Sequence, residues 1–456
     1  MKLYSSDSSY KLYQGNMLDM LDVLQPNSID AIVTDPPYEI GFMSKSWDNT
    51  GIVFQKETWE KCFDVLKPGG YLLAFGSPRT YHRIACAIED AGFEIRDCIM
   101  WIFGSGMAKS MSLGKCIESK ILNGSANVKD IKNLDGEKIP VTGGWNENEV
   151  EQGKRSVNYV QTKTIVDYKT HQGKQWKNWG TTLKPAYEPI IVSRKPCKGT
   201  CVNNVLKYGV GGINIEECRI GTEQRSYKGM STRKPEGAGC FRDDNWEPKD
   251  IDVTVNGRFP SNVILSYNET DFNEVCGGFP DTVSSGGSGE ASISGGLSGK
   301  VYNGGWSHDV VAAHLGGLGD KGSAARYFYC AKASTRDRDD GLPKGTHNIH
   351  ATVKPTALIQ YLIRLVTPPG GTVLDPFNGS GSTGKALIWE NRDRDCNYSY
   401  IGIELDENYL SISKSRIEFA KTTPYIKVDG KNVPVKSDSG NYSKKYGDCP
   451  SMFDEV

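Results

Sequence analysis

Residues 372 to 388 read Thr372-Val373-Leu374-Asp375-Pro376-Phe377-Asn378-Gly379-Ser380-Gly381-Ser382-Thr383-Gly384-Lys385-Ala386-Leu387-Ile388. An apolar β-type segment passes through a glycine loop into a helical pattern, which predicts a strand, a tight loop and a helix. Glycines let a loop approach a ligand closely, and a helix N-terminus favours an anionic group. A second predicted strand follows at residues 400–405 and carries Glu404, an acceptor for ribose hydroxyls. The unit therefore predicts a nucleoside-binding site.

A second informative stretch is Asp35-Pro36-Pro37-Tyr38, which follows the apolar run of residues 29–33. Each proline fixes φ and lacks an N–H, so the backbone stays extended and the Pro36 carbonyl is left unpaired. This carbonyl and the Asp35 carboxylate offer two acceptors to the two donors of a base amine, and Tyr38 offers a ring for stacking. The tetrapeptide predicts a binding site for a planar amino group; a proline turn that closes a strand is the alternative.

Strand-like and helical patterns alternate in the first hundred residues. Strand-like runs lie at residues 29–33, 71–75 and 98–103, and helical patterns lie at residues 52–66 and 81–91. This alternation predicts an α/β fold with a mostly parallel sheet and helices on both faces. Ligands bind beyond the carboxyl ends of strands in such sheets, so the loops after Val33 and Leu374 are expected to face one another.

Composition divides the chain into core segments and insertions. The length of 456 residues exceeds that of a typical single domain. We predict one half of a core at 1–103, an insertion at 104–184, a strand returning to the core at 185–195, a second insertion at 196–345, the other half of the core at 346–423 and a polar tail at 424–456. The Gly- and Ser-rich stretch at 284–322 buries little, which predicts mobile loops.

The formal net charge of −1 excludes a uniformly basic DNA-coating protein. Between residues 154 and 207, however, lysine and arginine greatly outnumber acids, and tyrosines and tryptophans are interleaved with them. This pattern predicts a phosphate-contacting surface, and a solvated basic loop without a partner is the alternative. Together with one lysine upstream, the predicted DNA contacts are Lys109, Lys154, Arg155, Lys163, Lys169, Lys174, Trp176, Lys177 and Lys184.

The twelve cysteines are scattered through apolar surroundings, which predicts reduced thiols rather than a disulfide scaffold. We predict no metal, although zinc binding stays open for four cysteines without paired C-x-x-C spacing, Cys197, Cys201, Cys218 and Cys240. Neither an apolar stretch of about eighteen residues nor a basic leader followed by an apolar run is present. We therefore expect a soluble, cytoplasmic protein of a bacterium or phage-infected cell, with no membrane association.

These motifs give the chain a resemblance to the amino-group DNA methyltransferases of the N-4/N-6 family, in the β-class order where Asp-Pro-Pro-Tyr precedes the glycine loop. Other segments, spread between residues 10 and 415, resemble a prophage and phage branch of that family: Gly104-Ser105-Gly106-Met107-Ala108-Lys109-Ser110, Leu183-Lys184-Pro185-Ala186-Tyr187-Glu188-Pro189, Gly257-Arg258-Phe259-Pro260, Tyr327-Phe328-Tyr329-Cys330-Ala331-Lys332-Ala333-Ser334 and His350-Ala351-Thr352-Val353-Lys354-Pro355. The resemblance implies a Rossmann-like methyltransferase fold with permuted motif order and a large target-recognition insertion. It implies that residues 1–103 are the catalytic half of the core and that residues 346–423 are the cofactor-binding half. The insertion at 104–184 would supply DNA-contacting loops, and the insertion at 196–345 would be the target-recognition region.

The resemblance also implies site residues. The catalytic residues would be Asp35, Pro36, Pro37 and Tyr38. S-adenosylmethionine would bind with its methionine part at the glycine loop, its ribose at Glu404, its adenine near Asn16 and Met17, and its carboxylate near His350 and Lys354. The full cofactor set is Asn16, Met17, Asp35, His350, Lys354, Asp375, Phe377, Asn378, Gly379, Ser380, Gly381, Ser382, Thr383 and Glu404.

This sequence departs from the family pattern at several of these positions. Asn16 replaces a usual aspartate, which puts the adenine contact in doubt, although an amide oxygen still accepts a hydrogen bond. Ala351 replaces the more usual proline, and a helix-start residue against solvent is the alternative reading of His350. Met107-Ala108 replaces the commoner Phe-Pro, and Tyr187 stands where histidine is frequent.

The implied function is site-specific DNA (adenine-N6)-methylation by direct transfer from S-adenosylmethionine to a flipped base in double-stranded DNA, as in restriction-modification systems. Adenine is preferred because an acid at the first motif position goes more often with adenine in this family, and serine with cytosine. The alternatives are cytosine-N4 methylation and, in another class, an inactive DNA-binding regulator with the same fold. RNA and protein amides are disfavoured because asparagine usually replaces the acid there. The recognition sequence, a homodimer and a cognate restriction endonuclease stay open.

Overall fold

The computed structural model describes residues 2–41, 46–103, 110–127, 130–131, 134–142, 160–230, 250–267, 281–283, 321–323, 328–332, 337–423, 425–428 and 431–434. Its α-helices are α1 Met17–Leu21, α2 Lys56–Val65, α3 Tyr81–Asp90, α4 Leu113–Asn123, α5 His171–Gln175, α6 Cys201–Tyr208, α7 Thr356–Val366, α8 Ser382–Arg394 and α9 Glu407–Thr422. Short 3-10 turns lie at Ser46–Asp48, Ile52–Phe54 and Glu216–Cys218.

The strands are β1 Lys2–Ser6, β2 Tyr10–Gln14, β3 Ile29–Thr34, β4 Leu66–Phe75, β5 Glu94–Phe103, β6 Gly136–Thr142, β7 Val160–Val166, β8 Tyr187–Arg194, β9 Ile220–Met230, β10 Asp250–Arg258, β11 Val263–Tyr267, β12 Asp281–Val283, β13 Lys321–Ser323, β14 Tyr329–Lys332, β15 Thr372–Asp375, β16 Ser399–Glu404, β17 Tyr425–Val428 and β18 Lys431–Pro434. The pairs β6/β7, β9/β10, β12/β13 and β17/β18 are separate antiparallel ribbons.

One large sheet organises the molecule, with the strand order β1-β2-β16-β15-β3-β4-β8-β5-β11-β14. Its strands pair in parallel, except that β1 is antiparallel to β2, and β8 is antiparallel to both β4 and β5. The predicted α/β fold with a mostly parallel sheet is therefore confirmed. Strands from the two ends of the chain meet where β15 pairs with β3.

The sheet buries both faces because adjacent side chains of a strand point to opposite sides. Val33 belongs to a cluster of buried side chains that includes residues of α7, α8 and α9. Its neighbour Ile32 belongs to a second cluster, which includes residues of α1, α2 and α3. Helices thus cover both faces, as the near-continuous apolar run of β3 predicts for a parallel strand.

The predicted bounds of three elements were wrong. The helical pattern at residues 52–66 is divided, because Gln55 has an extended backbone (φ −91°, ψ 127°) between a 3-10 turn and α2. Strands β4 and β5 begin at Leu66 and Glu94, earlier than the apolar runs indicate. Backbone pairing with a neighbouring strand decides where a strand begins, and residues such as Glu94, which pairs with Arg194, pair without being apolar.

The predicted insertions lie partly outside the described residues. Of the Gly- and Ser-rich stretch at residues 284–322, only the last two positions are described, as part of β13. The described part of the predicted tail forms the β17/β18 ribbon. The six-segment division of the chain stays a prediction. Among the described residues, no helix combines the length and apolar character needed to cross a bilayer.

Candidate active site

The two sequence motifs meet at one edge of the sheet. Strands β3 and β15 pair in parallel, with Leu374 opposite Ile32, so both end on the same side. The Thr34 hydroxyl at the end of β3 donates to Asp375 Oδ1 across 2.7 Å. The loop that carries Asp35 therefore begins beside the glycine loop, although the motifs are far apart in sequence.

The glycine loop takes a backbone path that L side chains rarely adopt. Gly379 and Gly381 have φ values of +51° and +77°. A Cβ added at Gly379 would lie 2.9 Å from His350 Nε2, and one at Gly381 would lie 2.2 Å from Ser413 Oγ. Gly381 directly precedes α8, so the loop brings backbone N–H groups and a helix N-terminus to the edge of the cleft.

A cleft with about 340 Å³ of empty space lies beside this loop. It brings together most of the residues that were predicted to bind the cofactor. Its lining consists of Asp35, His350, Thr352, Val353, Lys354, Ile359, Asp375, Phe377, Asn378, Gly379, Ser380, Ser382 and Thr383. Thr352, Val353 and Ile359 were not predicted, but the first two lie within the quoted 350–355 segment.

Glu404 lies at the end of β16 and holds the glycine loop in place. Its Oε2 accepts from the Gly379 N–H at 2.7 Å, and its Oε1 accepts from the N–H groups of Leu405 and Asp406, both at 2.9 Å. Burial raises the pKa of Glu404, and these backbone hydrogen bonds lower it in part. Oε2 has a second lone pair that is not used by these bonds, so the group is able to accept a ribose hydroxyl.

The predicted adenine contacts lie outside the cleft lining. The Asn16 side chain caps α1 by accepting from the Leu18 N–H at 3.0 Å, and Met17 is buried with 4% of its surface exposed. The loop is nevertheless close to the cofactor strand, because the Gly15 N–H donates to the Glu404 carbonyl at 3.0 Å. An asparagine before an apolar helical run is itself a signal for an N-cap.

Asp35 is held by two partners. Tyr38 donates from its hydroxyl to Oδ1 at 2.9 Å, and Lys354 donates from its ammonium to Oδ2 at 2.6 Å. Pro36 is buried and Pro37 is half-buried, so the tetrapeptide is packed rather than free. The Tyr38 ring packs against the core, and the backbone carbonyl of Tyr38 accepts from the Thr80 hydroxyl at 2.7 Å. The predicted catalytic acid thus lies in the cleft with its charge balanced.

Glu188 is a site residue that the sequence analysis missed. Its Oε2 lies 2.9 Å from the Tyr38 hydroxyl oxygen and 3.4 Å from Lys354 Nζ. Burial raises the pKa of Glu188; Lys354 lowers it in part and Asp35 raises it. Burial also raises the pKa of Tyr38, whereas Asp35 and Glu188 outweigh burial and raise the pKa of Lys354. An acid directly before an apolar strand run was the signal that could have found it.

His350 is packed between two aromatic rings. Its ring centroid lies 6.1 Å from that of Trp47 and 4.8 Å from that of Tyr409. Burial lowers the pKa of His350 to about 4, so the ring is neutral at pH 7. Helix α7 begins only at Thr356, and its N-cap is Pro355, so the helix-start reading of His350 was wrong.

Buried charges behind the glycine loop support it. Arg416, fully buried in α9, donates to the Ser380 carbonyl at 2.8 Å. Lys385 in α8 donates to Asp337 Oδ1 at 2.6 Å, and Asp337 Oδ2 accepts from the Thr356 N–H at 2.6 Å. Burial raises the pKa of Asp337, but Lys385 and Arg416 outweigh it, so the pKa is lowered. Asp375, also buried, has its pKa raised by burial to about 7.

The predicted DNA contacts differ in how far the structure describes them and in their surroundings. Lys109, Lys154 and Arg155 lie outside the described residues, and Lys163 is described only as a backbone position in β7. Lys169 forms an ion pair with Asp135. Lys174, Lys177 and Lys184 are exposed, and Trp176 packs edge-on against Trp179 with centroids 4.9 Å apart. The last group lies in the chain that leads to β8 and Glu188.

Of the cysteines with an open zinc assignment, Cys197 and Cys201 lie within hydrogen-bonding reach of each other. Cys201 donates from its thiol to the Gly211 carbonyl at 3.3 Å, and Cys218 is buried. Cys240 lies outside the described residues. Within the described ranges, no three His, Cys, Asp or Glu side chains are placed to hold a metal ion.

A family model described as DNA methylase matches residues 29–415. Among curated proteins, Type II methyltransferase M.SmaI of Serratia marcescens is 44% identical over 68 residues, 15% of this chain and 21% of that protein. Type II methyltransferase M.HpaI of Haemophilus parainfluenzae is 29% identical over 136 residues, which are 28% of this chain and 43% of that protein. DNA adenine methyltransferase YhdJ of Escherichia coli K12 is 33% identical over 96 residues, which are 21% of this chain and 30% of that protein. The chain matches less than half the length of each.

Solved structures are similar at lower sequence identity. The cytosine-N4-specific PvuII DNA methyltransferase gives a TM-score of 0.38 at 12% identity, with 91% of this chain and 90% of that chain covered. The complex of M1.HpyAVI with SAM gives a TM-score of 0.32 at 15% identity, with 89% and 98% covered.

Proposed function

This chain belongs to the DNA methylase family, and we propose that it transfers a methyl group from S-adenosylmethionine to the exocyclic N6 amine of adenine in double-stranded DNA. One observation carries the proposal: Asp35 of the Asp-Pro-Pro-Tyr motif and residues of the glycine loop line a single cleft at the carboxyl edge of the sheet. Several relatives are Type II methyltransferases, which supports a role in restriction-modification.

The cleft residues fit S-adenosylmethionine. Gly379 and Gly381 have positive φ values and no room for a side chain beside His350 and Ser413, so the loop keeps this path past the cleft, and α8 directs its N-terminus to the same loop. Glu404 would accept the ribose hydroxyls, and Lys354 would lie near the carboxylate of the methionine part, with the adenine beside the loop of Asn16. When bound, the cofactor supplies a methyl group on a sulfonium, which is a strong electrophile.

Asp35 would hold the target amine. The amine of a base is a poor nucleophile because its lone pair is delocalised into the ring. Asp35 and the Pro36 carbonyl would accept its two N–H hydrogens and turn the lone pair out of the ring plane. Positioning and fixed charges supply the acceleration, as is usual for a preorganised polar site. Such an amine is out of reach inside a duplex, so the base would be flipped into the cleft and stacked on Tyr38.

The exposed chain between α5 and β8 is the proposed DNA-contacting surface. Lys177 and Lys184 lie in it, and β8 begins at the same edge of the sheet where β5 ends, since Tyr187 pairs with Ile102. Lysines at this edge would neutralise phosphates beside the flipped base. The exposed ring of Trp179 adds a stacking surface for an unpaired base.

The decisive experiment incubates the purified protein with labelled S-adenosylmethionine and unmethylated DNA, digests the DNA to nucleosides and identifies the labelled one. Labelled N6-methyl-2′-deoxyadenosine is expected. Label in N4-methyl-2′-deoxycytidine would keep the mechanism and overturn the adenine assignment. Cofactor binding with no label in any DNA would overturn DNA methylation and leave either an inactive DNA-binding protein or an enzyme that acts on RNA.

A further inference from the structure

Three oxygen atoms form a hydrogen-bonded row beside the cleft. The Tyr38 hydroxyl oxygen lies 2.9 Å from Asp35 Oδ1 and 2.9 Å from Glu188 Oε2. A phenol carries a single hydrogen, and an ionised carboxylate carries none. When both carboxylates are ionised, the row therefore holds one hydrogen for two oxygen–oxygen contacts of hydrogen-bonding length. One additional proton would give each contact its own hydrogen.

The surroundings of Glu188 also favour one additional proton. Asp35 and Tyr38 reach it from the loop after β3, and Lys354 reaches it from the segment before α7. Packed beside them are Phe75 of β4, with Lys354 Nζ 5.1 Å from its ring centroid, and Trp101, which pairs with Glu188 in β5. Neither aromatic residue carries a charge. Two carboxylates thus face one ammonium in a buried setting, and a proton would bring the cluster to neutrality.

We propose that Glu188 takes up, through the Tyr38 hydroxyl, the proton that the target amine loses during methyl transfer. The amine lone pair forms the new N–C bond while the C–S bond breaks, and its electron pair stays on sulfur as a thioether. The nitrogen then gives one proton to the Asp35 carboxylate. Asp35 passes a proton to the Tyr38 oxygen as Tyr38 passes its own to Glu188. Asp35 ends ionised, and Glu188 ends protonated.

Other acceptors near the cleft fit this task less well. Lys354 is already an ammonium and cannot accept a proton. Asp375 accepts from the Thr34 hydroxyl and the Phe377 N–H rather than from Tyr38. His350 packs between aromatic rings, and burial lowers its pKa to about 4. Burial instead raises the pKa of Glu188, which makes its protonated form easier to reach. Glu188 acts through Tyr38 and is a positioning residue rather than a group that touches substrate.

The test measures single-turnover methyl transfer against pH for wild-type protein, Glu188→Gln, Tyr38→Phe and the double variant. Glutamine keeps the size of Glu188 and a contact for Tyr38, and phenylalanine keeps the stacking ring. We expect each single variant to be slower by about tenfold to a hundredfold. The wild-type rate should fall at low pH as Glu188 becomes protonated, and Glu188→Gln should lack that fall. The double variant should be no slower than the slower single variant.

The matched control is Glu94→Gln, because Glu94 lies at the opposite edge in β5 and binds Arg194 at 2.7 Å. It should keep the wild-type rate and pH profile. A Glu188→Gln variant that keeps the low-pH fall, or rate losses that multiply in the double variant, would overturn the proton path and leave Glu188 a structural contact.

The proposal rests on the proposed function, and the same assay separates the two. If wild-type protein methylates DNA while Glu188→Gln keeps its rate and profile, only the proton path fails. If wild-type protein labels no nucleoside, the proposed DNA methylation is overturned, and the proton path is overturned with it. Infrared titration of the free protein gives a readout without turnover. Burial raises the pKa of Asp375, Glu404 and Glu188, so several carboxyl bands should titrate above the ordinary range in wild-type protein. One of these bands should be lost in Glu188→Gln, and an unchanged set of bands would contradict the assignment.

Discussion

The ammonium of Lys354 lies 2.6 Å from the Asp35 carboxylate, although 319 positions of sequence separate the two residues. Lys354 is only 4% exposed, so its charge needs a partner in every state of the site. Glu188, at 3.4 Å, is a second carboxylate within reach of the same ammonium. Asp35 can therefore turn toward a target amine while Lys354 keeps a counter-charge. The ion pair links the proposed catalytic motif at Asp35 to the segment that leads into α7, so a change at either residue alters the charge balance of the other.

The first prediction concerns Asp35→Ala. Loss of the carboxylate removes an acceptor for the target amine, so methyl transfer should fall by at least about a hundredfold to a thousandfold. Binding of S-adenosylmethionine should stay largely intact, because the glycine loop and Glu404 are untouched and Lys354 retains Glu188. Labelled transfer and calorimetric titration of the cofactor measure the two effects. A variant with near-normal turnover would sink the assignment of Asp35.

The second prediction concerns the glycine loop. In Gly381→Ala, the new Cβ would lie 2.2 Å from Ser413 Oγ and 2.8 Å from Ser413 Cα, at a φ of +77°. Ser413 is fully buried, so it cannot move aside easily. The free energy of unfolding should fall by about 2–3 kcal/mol, and cofactor affinity should fall with it. Urea unfolding and cofactor titration measure both.

Gly212→Ala is the matched control for that change. A Cβ at Gly212 meets no atom within 4 Å, and Gly212 has no positive φ. Its stability and cofactor affinity should equal those of the wild type. Equal losses in both variants would show that the loop geometry is not the cause.

The third prediction concerns the proposed DNA-contacting surface. Lys177→Gln with Lys184→Gln should weaken DNA binding and reduce the slope of log affinity against log salt by about 2, since each phosphate contact contributes about 0.9. Lys198→Gln with Lys207→Gln is the matched control. Those lysines are exposed after β8 ends at Arg194, on the opposite edge of the sheet. An equal slope change in both double variants would refute a localised surface.

The sequence predicted those elements that form within one continuous segment of the chain. The strand, loop and helix around Gly379 were predictable because apolar β pattern, glycines and helical pattern follow one another within a single segment. The partner of a strand is not local. The apolar residues of β8 show that it is buried, yet nothing in them indicates that it separates β4 from β5.

The same distinction holds for the site. Asp35 and Tyr38 could be predicted because adjacent prolines mark their unusual backbone. The position of Glu188 before an apolar strand run marks it as a candidate, but its role depends on a contact with Tyr38 that sheet topology creates, and local sequence does not indicate that contact. Arg416 also escaped prediction, since a basic residue in a helix indicates a solvated face unless its buried partners are known.

The last prediction concerns His350 and pH. Its pKa is about 4 in the folded protein and about 6.5 in an unfolded chain, so the unfolded chain binds more protons between these values. The free energy of unfolding should therefore rise as pH increases from about 4 to 6.5, with a contribution from His350 of about 3 kcal/mol. This stability is present above pH 6.5 and is lost as pH falls toward 4.

His350→Gln tests this contribution, because glutamine removes the titration but keeps a polar side chain near Gly379. The difference in unfolding free energy between pH 7.5 and pH 4.5, measured by urea denaturation, should shrink in this variant. Reading a difference between two pH values separates the titration from any packing loss, which affects both values equally. His171→Gln, at an exposed position in α5, should keep the wild-type difference. An unchanged difference in His350→Gln would mean that His350 is not held neutral between Trp47 and Tyr409.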